Sequence, residues 1–403
     1  MTRAMLLLTY KPKSNVFWYL PATIVAITIL LFENFLPSGP DANLYFGLSR
    51  NLVDGTGYID NIRNDFILPP VGHPLLIVVL SFFKLTGVGI NFLLLFLSLI
   101  CAFGFFKNRG FSLVVSLLLI FLIPFLLPPF NIYGVEVSLV FSVSLMFFVF
   151  SNFFIKRTML WGVLLGLSIA LFILIRPLLL PAIVLAIPVA VIVVVYRKSL
   201  FRLLWPVFAT VAVIYGVVLG ISKMQYGDSR FTSGTYSGIT LYCAFNEYIY
   251  LETTYESENW NELSPQRKSE GVLPLQISSG GTWQDRDAVL KSKEKEFILQ
   301  HPGRALHAYL WRLGKYSFRA EGNTYRLLLY LWIATSLFLM YKWVKTKIQF
   351  VQKWQILFIL IFPLYIIGIQ AVFVYAGNRY YVVPVMAMIF CITMGVTLFQ
   401  KKT

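Results

Sequence analysis

The chain has 403 residues, of which 58% are hydrophobic and only 13% charged, and its mean hydropathy is +0.73. A soluble core of that length cannot hide so much apolar surface, so the composition excludes a water-soluble domain and implies an all-α polytopic membrane protein. The net charge of +16 would suit nucleic acid, but its distribution along the chain gives it another meaning.

Apolar runs of roughly 17 to 25 residues cross about 30 Å of hydrocarbon. Such runs lie near 16–35, 89–106, 111–128, 134–154, 159–175, 178–196, 203–222, 326–343, 355–375 and 379–399, which makes ten expected spans. Each is expected to be a helix, because a strand edge facing lipid leaves backbone groups unpaired at several kcal/mol each. Pro181, Pro188 and Pro363 then mark kinks within spans. The first span has no small-residue cleavage site behind it and is expected to be retained. The run Pro74 to Leu85 is too short for a comfortable span, and the spans alternate consistently only if it stays outside as a surface helix.

That alternation gathers sixteen cations and no acid on one side, among them Lys107, Arg109, Lys156, Arg157, Lys198, Lys342 and Lys345. By the positive-inside rule this side, with both termini, is expected to be cytoplasmic. The other 18 Lys and Arg stand with all 18 acids on the outer side. The basic balance therefore reports topology, and a nucleic-acid partner is not expected. Cys101 and Cys391 fall in spans and Cys243 lies alone outside them, so neither a disulfide nor a Cys/His metal site is expected.

Three parts follow in chain order: an N-terminal transmembrane module, 1–222; a large outer loop, 223–325, between spans seven and eight; and C-terminal transmembrane helices, 326–403. The module's first outer loop, 34–88, opens with an amphipathic helix expected to lie on the bilayer through Leu44, Leu48 and Leu52, ended by Asp54-Gly55-Thr56-Gly57. In the large loop a Lys/Glu-rich helix is expected from Asp285 to Gln300, stopped by His301-Pro302-Gly303. A second helix, Pro302 to Phe318, is expected to rest on headgroups, with Leu306, Leu310 and Leu313 as its apolar stripe and Arg312, Lys315 and Arg319 offered to lipid phosphate.

Charges at membrane edges are the sharper signals, because burying one costs a few kcal/mol unless it is paired or hydrated. Glu136 opens span four, Arg176 closes span five before Pro177, and Arg379 opens span ten before Tyr380. All three share the outer face with Asp41, the first acid behind span one. Alone, each reads equally well as an interfacial anchor. Together, one carboxylate able to take a proton from an attacking hydroxyl and several arginines able to hold a phosphate suit either transfer from a phosphate-linked donor or transport of an anion.

The run from Asp41 to Leu52, followed by Gly55-Thr56-Gly57-Tyr58, resembles the first outer loop of GT-C glycosyltransferases, nearest to the aminoarabinose transferase and protein O-mannosyltransferase branch. Leu68-Pro69-Pro70-Val71-Gly72-His73-Pro74 resembles that branch's Pro-rich entry to a juxtamembrane helix. Gly134-Val135-Glu136, Arg176-Pro177, His301-Pro302-Gly303 and Arg379-Tyr380 follow in the family's order. The resemblance implies a GT-C fold with juxtamembrane helices in the first outer loop. It also implies an enzyme that moves one hexosyl or pentosyl unit from a polyprenyl-phosphate donor to a hydroxyl of a lipid, glycan or protein acceptor, with inversion. The setting would be the outer face of a bacterial or archaeal cytoplasmic membrane. Asp41 matches the family's general base. Arg176, Arg319, Arg379 and His73 are candidates for the donor phosphate, and Tyr45, Arg50, Glu136 and Tyr380 for other substrate contacts. Tyr45, Trp260 and Trp283 could also line an acceptor groove. Two departures matter: Ala42 stands where the branch keeps a second acid, and Leu68 where the aminoarabinose transferases carry a lysine. No cofactor is expected to be required, and a divalent cation is possible but not indicated. The rival classes are a lipid-linked sugar flippase or transporter, which should show polar sites near the midplane, and a polysaccharide polymerase or ligase.

Overall fold

A computed structural model describes residues 16–32, 40–59, 69–85, 87–126, 134–182, 198–227, 245, 283–314, 323–346, 350–373 and 381–398. Among them the regular elements are helices: α1 (Val16–Phe32), α2 (Pro40–Val53), α3 (Gly72–Ser81), α4 (Gly87–Asn108), α5 (Leu113–Leu126), α6 (Val135–Lys156) and α7 (Met159–Ile175). A 3-10 turn (Pro177–Leu179) is followed by α8 (Lys198–Tyr226), α9 (Trp283–Gln300), α10 (Pro302–Gly314), α11 (Asn323–Lys345), α12 (Phe350–Phe373) and α13 (Val382–Thr397).

Parts of α4, α6, α8, α11 and α12 are long and apolar enough to cross a membrane. The chain is thus a polytopic helical membrane protein. At four further expected spans α1, α5, α7 and α13 are apolar but only 17, 14, 17 and 16 residues long. The tenth, 178–196, lies mostly outside the described residues.

Contacts define two ends of the bundle. At one, the Lys107 ammonium of α4 lies 5.4 Å over the Tyr19 ring of α1, and Lys156 closes α6. At the other, the start of α3 meets the start of α6 and the end of α7, and the start of α11 meets the start of α13. The opening residues of α2 and of α10 belong to segments attached to this second end, opposite the cations.

Between the ends, α6 packs against α4, α7 and α13. In lipid there is no hydrophobic drive between helices, so close fit decides which of them associate. Phe147 of α6 stacks on Phe390 of α13 at 4.7 Å and meets Phe105 of α4 and Phe362 of α12 edge-on at 5.9 and 5.7 Å. Aromatic pairs of this kind contribute about 0.5–1.5 kcal/mol each beyond their area. Gly166 of α7 lets α8 come close: a Cβ there would stand 2.7 Å from the Val207 carbonyl oxygen and the Thr210 Cβ.

Two expectations about faces are corrected. The apolar stripe of α2 is not laid on the bilayer: Leu48 is 1% exposed, and with Leu44 and Leu52 it packs on Tyr58, Val71 and Leu174. Periodicity identifies an apolar face but not its partner, and here protein covers it. On α10, Leu306 and Leu310 are exposed as an interfacial stripe requires, but Arg312 is turned inward rather than toward lipid phosphate. Its Nε donates to the Ala371 carbonyl at 2.7 Å and its guanidinium lies 4.6 Å over Phe245. The small residues Ala305 and Ala308 let that side of α10 settle on the protein. The helix boundary at His301-Pro302 falls as expected; residues 315–318 lie outside the described set.

Candidate functional site

The end of the bundle opposite the cations is organised around α2 and α3. Pro40 opens α2, a position where its missing N–H costs nothing. Past its end, Gly55 adopts φ +72° and Gly57 φ +97°, left-handed values that favour glycine. The turn carries Tyr58 into the interior, where it is 0% exposed. Its phenol donates to the Pro69 carbonyl at 2.6 Å, and its backbone N–H donates to the Tyr226 hydroxyl of α8, also at 2.6 Å. A Cβ at Gly57 would stand 2.6 Å from that hydroxyl. Asn51 adds a side-chain bond to the Ile59 carbonyl at 2.6 Å. The loop behind α2 is therefore pinned to both α3's entry and α8's end.

At Gly72, the first residue of α3, a Cβ would collide with the Leu174 carbonyl and the Ile175 nitrogen at the end of α7. That approach carries His73 inside. Its ring is 0% exposed, its Nδ1 lies 2.7 Å from Ser138 Oγ of α6, and the Tyr45 ring of α2 stands edge-on to it at 4.7 Å. His73 Nε2 has no hydrogen-bond partner among the described residues. Burial pushes its pKa down to about 3, so the imidazole is neutral at physiological pH. A neutral His73 can offer a phosphate a hydrogen bond but no charge.

Glu136 lies two residues after Gly134, in the first turn of α6 with Ser138, and is 4% exposed. An interfacial anchor keeps its charge in water, so that reading does not apply to it. Arg176 is half-buried and directly follows Ile175, the residue that Gly72 touches. Its extended backbone, φ −146° and ψ 120°, ends α7, as the steric demand of the following proline requires.

The structure thus brings Tyr45 and His73 into contact and places Glu136 and Arg176 on turns adjoining the same junction. Arg50 is not drawn in: its guanidinium is 84% exposed, 3.6 Å from Asp54, a solvent pair of small energetic consequence. Asp41 lies in the first turn of α2, one helical turn before Tyr45. Arg319, Arg379, Tyr380 and Trp260 lie outside the described residues, and Trp283 begins α9. Tyr381, which follows Tyr380, is 3% exposed and edge-on to Tyr325 at 4.9 Å. Among the described residues no three His, Cys, Asp or Glu side chains come together as a metal site.

Sequence reasoning missed Ser138, Tyr226 and Asn91. Ser138 could have been found two residues after Glu136. Tyr226 resembled an ordinary aromatic at a helix end. Asn91 is 0% exposed, with neither side-chain polar atom partnered among the described residues, and it sits near the start of α4, which packs on α3 and α6. Compared with family models, curated proteins and solved structures, the chain matches none.

Proposed function

We propose that the chain is a GT-C-type glycosyltransferase with ten spans and cytoplasmic termini, which transfers one sugar from a polyprenyl-phosphate donor to a hydroxyl acceptor outside the membrane. The observation that carries the reading is the Tyr45–His73 contact. It joins the two segments of the expected first outer loop on which the family resemblance rests, at the bundle end opposite Lys107 and Lys156, next to Glu136 and Arg176.

In the proposed reaction the Asp41 carboxylate takes the acceptor's hydroxyl proton. The acceptor oxygen bonds to the anomeric carbon as the carbon–oxygen bond to phosphate breaks, so the centre inverts and polyprenyl phosphate leaves with the electron pair. The leaving anion needs positive neighbours rather than an acid; Arg176, Arg319 and Arg379 are the candidates, with neutral His73 as a hydrogen-bonding partner. With Ala42 beside it, Asp41 acts without a second carboxylate.

The middle of the bundle holds the stacked Phe147–Phe390 pair. Along α6, Ser142 bonds to the Leu139 carbonyl and Asn152 to the Phe148 carbonyl, while the buried hydroxyls of Ser144 and Ser151 have no partner among the described residues.

The test is transfer by purified protein from labelled polyprenyl-phosphate sugars to an acceptor extract, read by mass spectrometry. Asp41→Asn should lower the rate about 10²- to 10⁴-fold, the usual worth of a general base, while donor binding persists. Retained activity in that variant would remove Asp41 from its role, and the absence of any transfer by the unaltered protein would count against the whole reading.

A further inference from the structure

Between α7 and α8, on the side turned to lipid and toward the basic end, lies an apolar groove of about 350 Å³. Met159 and Val163 form one wall; Trp205, Ala209 and Val213 form the other. Met159, Trp205 and Val213 are 70%, 54% and 63% exposed, so no described part of the chain covers it. Its floor is the close approach of the two helices, where Gly162 and Gly166 face Pro206, Val207 and Thr210. From Trp205 to Ile214, the lining of α8 rises ~14 Å at 1.5 Å per residue, about the depth of one leaflet of a ~30 Å core. A single hydrocarbon chain of one leaflet's length fits such a volume.

The groove's mouth is charged. Lys156 and Arg157, both exposed, directly precede Thr158 and the groove residue Met159. The Lys156 ammonium is steadied 4.6 Å over the Trp161 ring. No Asp or Glu occurs between Glu136 and Asp228, so neither helix supplies a competing carboxylate. Apolar length of one leaflet ending at two exposed cations, with no carboxylate on either helix, matches a phosphate-bearing lipid.

We propose that this groove binds one anionic phospholipid of the leaflet at the basic end, its acyl chain between α7 and α8 and its phosphate on Lys156 and Arg157. Arg157 supplies the planar fork that grips phosphate through two parallel bonds. Each cation near an anionic headgroup strengthens binding about fivefold, so two give a preference over a zwitterionic lipid of at least about tenfold. The site stands apart from the opposite end of the bundle and does not depend on sugar transfer.

Full-length protein in nanodiscs of mixed phosphatidylglycerol and phosphatidylcholine, released into the gas phase, reports the retained lipid by native mass spectrometry. The unaltered protein is expected to keep phosphatidylglycerol at least about tenfold over phosphatidylcholine. The double variant Lys156→Gln, Arg157→Gly should fall to near parity. Arg157 has φ +49°, a backbone that glycine adopts with ease, so this variant tests charge without endangering the fold. Ala209→Phe fills the groove and should lose retained lipid of either headgroup. Equal retention of the two lipids by the unaltered protein would overturn the proposal, as would an undiminished preference in the charge variant. Displacement of phosphatidylglycerol by equimolar polyprenyl phosphate would equally overturn it, by giving the groove to a different lipid.

Discussion

His73 Nδ1 and Ser138 Oγ stand 2.7 Å apart with the imidazole wholly removed from solvent, and that bond ties α3 to the head of α6. A charged imidazole donates from both nitrogens, yet Nε2 has no acceptor among the described residues. The folded protein therefore holds the ring neutral, with its pKa pushed by burial from 6.5 to about 3.

The first prediction concerns acid stability. Below pH 6.5 the unfolded chain takes up a proton at this ring and the folded chain does not until about pH 3. Stability from this group is therefore complete above about 6.5 and is lost as pH falls toward 3. At about 1.4 kcal/mol per unit, acidification from pH 7 to pH 5 should cost about 2 kcal/mol. Melting curves in detergent at the two pH values, compared with His73→Asn, measure it. A pH response identical in the two proteins would remove His73 as its source. Ser138→Ala should cost about 1–3 kcal/mol at pH 7, the desolvation of an abandoned buried polar group.

The second prediction follows from the Tyr226 hydroxyl, which accepts the Tyr58 N–H at 2.6 Å. Tyr226→Phe keeps the ring and removes the acceptor, leaving a half-buried backbone donor unpaired at about 1–2 kcal/mol. Hydrogen exchange at the Tyr58 amide should accelerate about five- to thirtyfold while exchange in α6 is unchanged. Unaltered protection at Tyr58 would show that the bond does not hold the loop.

The helices were legible in the sequence because each needs only a long apolar run or a stop such as Gly55 or His301-Pro302. What covers them was not. Leu44, Leu48 and Leu52 announced an apolar face, but lipid and protein satisfy such a face equally, and only the fold puts Tyr58 and Leu174 against it. Arg312 was misassigned for the same reason: Leu306 and Leu310 suggested a lipid stripe, while the smaller Ala305 and Ala308 set the packed side. His73 stood out as a candidate, but its neutrality depends on burial that no local pattern encodes. Asp41 owes its proposed role to family resemblance, and the fold adds its position one turn from Tyr45.

The third prediction separates glycines of α7 and α8 by what surrounds them. At Gly166 a side chain would press on the Val207 carbonyl and Thr210 Cβ of α8, each 2.7 Å from an added Cβ. At Gly216 and Gly220 nothing lies within 4 Å. Gly166→Val should therefore destabilise by about 1–3 kcal/mol or more through overpacking. Gly220→Ala should stabilise by up to about 1 kcal/mol through helix propensity. Detergent-resistance assays rank the two variants, and equal effects would contradict the close α7–α8 approach.

Arg312 supports the last prediction. It is 7% exposed on α10, donates from Nε to the Ala371 carbonyl of α12, and lies over Phe245, a residue of the segment between α8 and α9. Three segments distant in sequence thus meet at one guanidinium. Lysine lacks the planar fork needed to face a ring while donating sideways to a carbonyl, so conserving charge does not conserve the contact. Arg312→Lys and Arg312→Met should both weaken the junction, by about 1.5–3 kcal/mol for the lost charge-assisted bond. The effect should appear as faster proteolytic cleavage in the 223–282 segment, with α4 and α6 unaffected. If Arg312→Lys alone restored full protease resistance, charge rather than guanidinium geometry would be the tether.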